Sequence, residues 1–434
     1  MDADAALHLA IEAATFIHHQ RQGSLWRRTD EPGSDVDLTL YHGAAGVALF
    51  QLEVGTATGD AVHTERGLAA GRELAERITE KKRSSVAFAT GWPGYAFALR
   101  ALHDHAVSDA DRNRFRSASA YATERLMAQA TRFDNGIGWI EPMPFSDITG
   151  HRGDREIYDL SVGAAGAGVG LLDSYEHGIA PQALAWAVSV ADRLLDVVEA
   201  TPDGNRWALM ADMPFPFTAP NFAHGGAGVA FFLARLFEHT GAPDHLDAAV
   251  SAARYTLSRA VAVADGCLVC HTEEQKPPAF YLGACHGPAG TGRLLALLHR
   301  LTGDDEWKVR ADELTAGVRG LGAPATRSWG WWNNYGQCCG DAGLGDYALS
   351  MWTAFGDERY LELAHDCADV LHENATRAGG SAAWVQAEHR ARPKFVQSQT
   401  GYMQGAAGIG SFLVHLGTVG RAEPVRIVFP DELR

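Results

Sequence analysis

Basic residues are in short supply in this chain. It has 37 lysines and arginines against 53 aspartates and glutamates, a formal charge of −16. The clustered cations that hold nucleic-acid phosphates are missing, which excludes nucleic acid as a partner. Also missing is any apolar run near the roughly 20 residues that span a bilayer. Met1 to Gln20 carries Asp2, Asp4 and Glu12 among mixed residues and lacks the basic start and apolar stretch of a signal peptide. The expectation is a cytoplasmic protein with no transmembrane segment. Cysteines are few, at positions 267, 270, 285, 338, 339 and 367. In a reducing compartment they read as metal ligands, catalytic groups or core thiols rather than disulfides.

What the chain does have is a repeat. Its 434 residues, 46% of them hydrophobic, exceed one ordinary compact domain, so it is either two domains or one built from repeats. G-x-x-G begins at Gly43, Gly91, Gly163, Gly225, Gly287, Gly340 and Gly405, at intervals of 48, 72, 62, 62, 53 and 65 residues. An apolar segment with helical spacing follows each one, for example Val229 to Phe237 and Ile409 to Leu416. Between them lie longer amphipathic stretches: Ala3–Arg21, Val62–Lys82, Ser108–Thr131, Pro181–Ala200, Ala242–Ala264, Asp304–Arg319 and Asp357–Arg377. A polar-faced helix alternating with an apolar one predicts outer and inner rings. The expected fold is all-α, an α/α toroid of seven inner and seven outer helices, as a single domain over 1–434 with Glu423 to Arg434 as a short tail.

The glycines fit a tight turn and close backbone approach, and at five of the seven turns they are read as serving only that. The residue before the first glycine differs between turns: His42, Thr90, Val162, His224, His286, Cys339 and Gln404 in order. If the repeats are equivalent, all seven share one end of the toroid, which should hold the site. Asp134 to Asp159 and Thr201 to Pro220 read as long loops, of the kind that often bind.

Two of the turns carry thiols, Ala284-Cys285-His286-Gly287 and Gln337-Cys338-Cys339-Gly340. Cys285, Cys338 and Cys339 are three soft ligands, and three such ligands with one open place are the arrangement of a catalytic zinc. In repeat register His286 matches Cys339, so a closed, structural site with His286 as fourth ligand is the alternative. Cys267-Leu268-Val269-Cys270-His271 has the form of a haem attachment site. With no export signal, Cys267 and Cys270 read instead as core or strand cysteines, and Cys367 as a core thiol. Trp329, Trp331, Trp332 and Tyr335 lead into the second thiol turn, where they either line a groove or pack the loop against the rim.

Tyr158-Asp159 followed by Gly163-x-x-Gly166, Ala223-His224-Gly225-x-x-Gly228, Cys285-His286-Gly287, Cys338-Cys339-Gly340 and Gly405-x-x-Gly408 stand in one order. In this the chain resembles the lanthionine synthetase C-like cyclase family over nearly its whole length. The resemblance implies an α/α toroid that adds cysteine thiols to dehydroalanine or dehydrobutyrine in a dehydrated precursor peptide, forming thioether rings. It implies one zinc ion per chain on Cys285, Cys338 and Cys339, an acid/base role for His224 and a supporting carboxylate at Asp159. His286, Tyr281, His42 and Trp332 fall around the ligands or in the substrate pocket.

Three departures stand out. The metal site ends Cys-Cys where the commoner pattern is Cys-His. Tyr281 stands where many members have arginine. The 72-residue interval leaves no room for the small extra domain that one member carries, so leader-peptide recognition is expected to differ. The precursor peptide is the expected partner of a monomer, alone or within a biosynthetic complex. With no dehydratase or kinase-like segment, a separate dehydratase or kinase/lyase system must dehydrate it. Other readings are glutathione addition to dehydroamino acids in proteins, a non-catalytic peptide-binding subunit, and a carbohydrate-active toroid. The last needs a facing pair of carboxylates, and Asp159 and Asp341 show no evident pairing.

Overall fold

A computed structural model describes residues 1–144 and 146–433, so Arg434, at the end of the expected tail, lies outside the described residues. The described residues form two rings of seven long helices. Outer helices α1 (Ala3–His19), α3 (Ala61–Glu80), α5 (Asp109–Ala128), α7 (Ala183–Asp196), α9 (Pro243–Ser258), α11 (Asp305–Gly320) and α13 (Glu358–Glu373) alternate along the chain with the inner ones. The inner helices are α2 (Ala44–Thr58), α4 (Trp92–His105), α6 (Ala164–Glu176), α8 (Gly226–Thr240), α10 (Pro288–Thr302), α12 (Asp341–Phe355) and α14 (Ala406–Thr418).

The sequence dictates which ring each helix joins. Helix α2 is buried without a break from Ala44 to Gly55, and every residue of α14 is buried, so these helices need cover on all sides. Helix α3 buries a single stripe (Gly67, Leu68, Gly71, Leu74, Ala75 and Ile78) and turns charge outward. Each inner helix packs on the next, and α14 packs on α2, which closes the ring; each outer helix covers the inner one before it, and α1 covers α14. Three of the links are short and legible. Gly59, Gly303 and Gly356 end inner helices in the left-handed conformation. Asp60, Asp304 and Asp357 then cap the outer helices by accepting from the amides of Val62, Glu306 and Arg359.

One sequence expectation needs correction. The amphipathic stretches from Ser108, Pro181, Ala242 and Asp357 run past their helices into two-stranded hairpins, such as Glu199–Thr201 with Gly204–Arg206 and Ala260–Val263 with Gly266–Val269. Strands this short carry no readable alternation; only the turn pairs Asn135-Gly136, Asp203-Gly204, Asp265-Gly266 and Gly379-Gly380 mark them. Three hairpins end in a tryptophan whose indole donates back to the outer helix, from Trp139, Trp207 and Trp384 to the carbonyls of Leu126, Leu194 and Leu371.

The segment after α14 turns inward. Val425 to Leu433 enters the middle of the ring: Ile427 donates to Glu53 of α2, Phe429 packs on Phe97 of α4, Arg293 of α10 pairs with Asp431, and Arg426 donates to Ser350 of α12. A segment that touches inner helices α2, α4, α10 and α12 lies within the ring they form.

One end of the toroid is bound by backbone hydrogen bonds that pass from turn to turn. Tyr41 donates to Ala89, Phe88 to Ser161, Ser161 to Ala223, Ala223 to Cys285, Cys285 to Cys338, Cys338 to Met403, and Met403 back to Tyr41, all at 2.8–3.2 Å. Every acceptor stands two residues before the first glycine of its turn. The first glycines have extended backbone, with φ from −124° to −159°, open to any residue. It is contact that demands them: a Cβ on Gly340 would collide with the Asn334 carbonyl, and one on Gly405 with that of Gln399.

Below the belt lies a fully buried ion cluster. His415 bridges Asp346 at 2.7 Å and Glu53 at 2.9 Å, and Asp346 also accepts from Gln337, the residue before Cys338. Burial opposes a charge on His415, but the Asp346 and Glu53 carboxylates prevail and raise its pKa to about 10. A group raised in the folded state stabilises fully below its unfolded value, near 6.5, and that contribution fades as pH rises through about 10. The melting temperature should therefore fall between pH 7 and 10.5, and fall less in His415→Gln, which starts lower. Equal losses in the two proteins would refute this.

Candidate metal centre and active site

The belt places neighbouring turns side by side, so Cys285 and Cys338, both belt residues, come together with Cys339. The Cys339 thiol lies 3.2 Å from Cys338 Sγ and 3.5 Å from Cys285 Sγ. All three sulfurs fall within 4.8 Å of one another. A tetrahedral zinc with Zn–S bonds of about 2.3 Å separates its sulfurs by roughly 3.8 Å, so the group fits such an ion with little adjustment.

The protonation of the three thiols points the same way. Hydrogen bonds from Cys285 and Cys339 hold Cys338 well below the ordinary thiol range, with the Tyr41 hydroxyl and His224 adding to the effect. Cys285 and Cys339 are pushed well above it, Cys285 chiefly by its bond to Cys338, and Cys339 by its bonds to Cys285 and then Cys338. Three packed sulfurs cannot all ionise unless a cation joins them.

His224 and His286 follow belt residues, and their rings lie 4.9 Å apart. His224 Nδ1 is 2.8 Å from Asp159 Oδ2. The other oxygen of this buried carboxylate accepts from the Val162 amide at 2.7 Å. Burial works to lower the His224 pKa, yet the Asp159 hydrogen bond and charge, with Cys338, lift it above 6.5. His286 differs. It is pushed well below 6.5 by burial and by the neighbouring His271 and His224, and its Nδ1 has no partner among the described residues. It stands outside the sulfur group, so the closed four-ligand alternative is not formed.

A cavity of about 310 Å³ lies over the sulfurs. Met143, Pro144 and Thr149 come from the first long loop, and Leu209, Met210, Met213, Phe215 and Phe217 from the second, giving one wall that is apolar apart from Thr149. Trp332 donates to the Ala387 carbonyl and stands edge-on to Tyr281 at the cavity floor. Trp329 is at the rim and 41% exposed, whereas Trp331 is fully buried. The four aromatics thus divide between lining and packing. His42 lies away from the sulfur group, bound to Glu388 at 3.0 Å. Cys267 sits in a hairpin strand and Cys270 just beyond it, while Cys367 is buried in α13.

Several cavity residues escaped the sequence reading. Tyr41 is a belt residue of the first turn and accepts from Gln404 at 2.9 Å; its repeat position next to His42 was the available signal. His271 was noted only within the C-x-x-C-H string, yet its ring lies 4.4 Å from His286 and 4.3 Å from Tyr281. Glu388, His389 and Arg390 enter from the connection between strands Val385–Ala387 and Val396–Ser398, and nothing in their spacing announces it. Glu388 is the only carboxylate lining the cavity among the described residues. Asp341 is buried elsewhere against Arg327 at 2.8 Å, so the facing pair that a glycosidase requires is not present there.

The profile of the family described as lanthionine synthetase C-like protein matches residues 34–423. The chain belongs to this family. Comparison with curated proteins gave no match. Among solved structures, the nisin cyclase superposes with a TM-score of 0.63 at 14% identity, covering 96% of this chain and 93% of that one. An unsaturated glucuronyl hydrolase from Bacillus sp. GL1 gives 0.50 at 16% identity, covering 97% and 96%. A family 76 α-mannanase from Bacteroides thetaiotaomicron gives 0.50 at 11%, covering 96% of each chain. At these identities the likenesses establish the α/α toroid and no shared chemistry.

The pairing of His224 with Asp159 can be checked directly. Burial alone would lower this histidine, so Asp159→Asn should bring its pKa from above 6.5 to below it, read by NMR titration of the ring protons. An unchanged midpoint would show that the carboxylate does not set it.

Proposed function

We propose that this protein is a zinc-dependent peptide cyclase that joins cysteine thiols to dehydroalanine or dehydrobutyrine as lanthionine or methyllanthionine. The observation that carries the reading is the group of three convergent cysteine sulfurs at the floor of an apolar cavity, with a carboxylate-held histidine beside it. Family membership supports it, and the nisin cyclase shares the fold.

Cys285, Cys338 and Cys339 would hold the zinc. When bound, zinc supplies the positive charge that turns a thiol, with an ordinary pKa of about 8.5, into a thiolate at neutral pH. The remaining chemistry falls to the chain and substrate. A C–S bond forms at the β-carbon of the dehydro residue, and the π pair moves to the α-carbon and its carbonyl as an enolate. Protonation at the α-carbon completes the addition; the thiol proton leaves, one proton arrives, and no oxidant is needed. His224 is the proton donor. Asp159 accepts a hydrogen bond from its Nδ1–H and favours the charged ring, leaving Nε2 as the nitrogen that serves the substrate. The Met143 and Leu209–Phe217 wall excludes water from the enolate.

The substrate is a precursor peptide that a separate dehydratase has acted on, and the cyclase is proposed to work as a monomeric single-domain protein. The test is incubation of the zinc-loaded protein with a dehydrated, cysteine-containing peptide, with thiols counted by alkylation and mass spectrometry. Loss of thiols without change of mass is expected, and His224→Asn should slow it about 100-fold or more while keeping zinc. An unaltered peptide, thiol loss only when glutathione is added, or a fully active His224→Asn would contradict the assignment.

A further inference from the structure

Among the described residues that line the cavity, Arg390 is the only arginine or lysine. Two contacts hold it. Its guanidinium lies over the Trp329 ring, with Cζ 3.5 Å from the centroid, and its Nε donates to the Tyr281 hydroxyl at 3.1 Å. Tyr281 in turn packs against the cluster of Cys285, Cys339 and Trp332. The guanidinium therefore stands one tyrosine ring from the sulfurs.

Arg390 has no carboxylate partner among the described residues. Glu388, two residues away, is already engaged by Arg28 at 2.9 Å, His42 at 3.0 Å and Gln399 at 3.0 Å. Arginine stays charged at every working pH, and a cation facing a largely apolar cavity is poorly placed until an anion joins it. Stacking on Trp329 fixes the plane and the Tyr281 bond uses Nε, which leaves the Nη1 and Nη2 donors. That two-pronged edge matches a carboxylate, which accepts two parallel hydrogen bonds.

We infer that Arg390, framed by Trp329 and Tyr281, forms an anion subsite that receives a carboxylate of the thiol-bearing substrate beside the three-cysteine group. This rests on the thiol-binding reading above and adds a substrate preference to it. Three sources share the chemistry: the terminal carboxylate of a peptide ending in cysteine, the side chain of an acidic residue next to the cysteine, and the carboxylate of a small free thiol.

The test uses the cobalt(II)-loaded protein, whose sulfur-to-metal charge-transfer absorption reports thiol binding without turnover. The parent should bind 3-mercaptopropionate about tenfold or more tighter than 3-mercaptopropionamide. Arg390→Gln should take up cobalt normally and lose that preference, and Arg390→Lys should keep part of it. Comparing the ratios between parent and variant cancels intrinsic differences between the thiols. Peptides with a C-terminal cysteine as acid or amide, and with an internal cysteine followed by aspartate or asparagine, separate the sources. Equal binding of acid and amide by the parent, or a preference unchanged in Arg390→Gln, overturns the subsite. A cobalt spectrum that no thiol perturbs, or no cobalt uptake, is a different result and overturns the thiol-binding reading itself.

Discussion

Seven backbone hydrogen bonds, each running from one turn to the next and the last returning to the first, hold the site end of this toroid. Singly each contributes about 1 kcal/mol. Together they set the spacing and phase of every turn. Residues far apart in sequence but alike in repeat position become neighbours around a ring of fixed size. The glycine pairs permit this, because a side chain at either position would strike the carbonyl six residues earlier.

The chemistry follows from which residue types occupy that frame. Two adjacent belt positions are cysteines, and the position after one of them is a third. Their sulfurs meet because Cys285 donates its amide to Cys338, with no special loop needed. The turn before them supplies His224, and the turn before that supplies the segment with Asp159. From the other side the first turn brings Tyr41. The buried network through Gln337, Asp346 and His415 ties the second thiol turn to α2 and to the chain end inside the lumen, so the floor of the site is braced from below as well as around its rim.

Much of this was legible in the sequence, and the rest was illegible for physical reasons. Inner helices are apolar over most of their surface and outer ones on a single stripe, and that contrast recurs from repeat to repeat, so the ring count could be read directly. The positions of Cys285, Cys338, Cys339 and His224 stand out because they precede the repeated glycines at fixed offsets, whereas Asp159 is singled out only through the family resemblance. Glu388 and Arg390 do not stand out, since they reach the cavity from a connection between two three-residue strands whose length and direction obey no period. The chain end reads from the sequence only as a short tail, although Val425, Ile427, Val428 and Phe429 make it apolar; only the closed ring creates an interior for them to enter. Strands of two to four residues left no alternation to detect, although their glycine turns did.

Everything proposed for function depends on three cysteines sharing one metal ion. The direct measurement is the zinc content of the purified, metal-replete protein beside Cys285→Ala, Cys338→Ala and Cys339→Ala. One zinc per chain, lost or sharply weakened in each variant while the helical fold persists, is the predicted result. No zinc in the parent, or zinc retained in all three variants, would contradict the account.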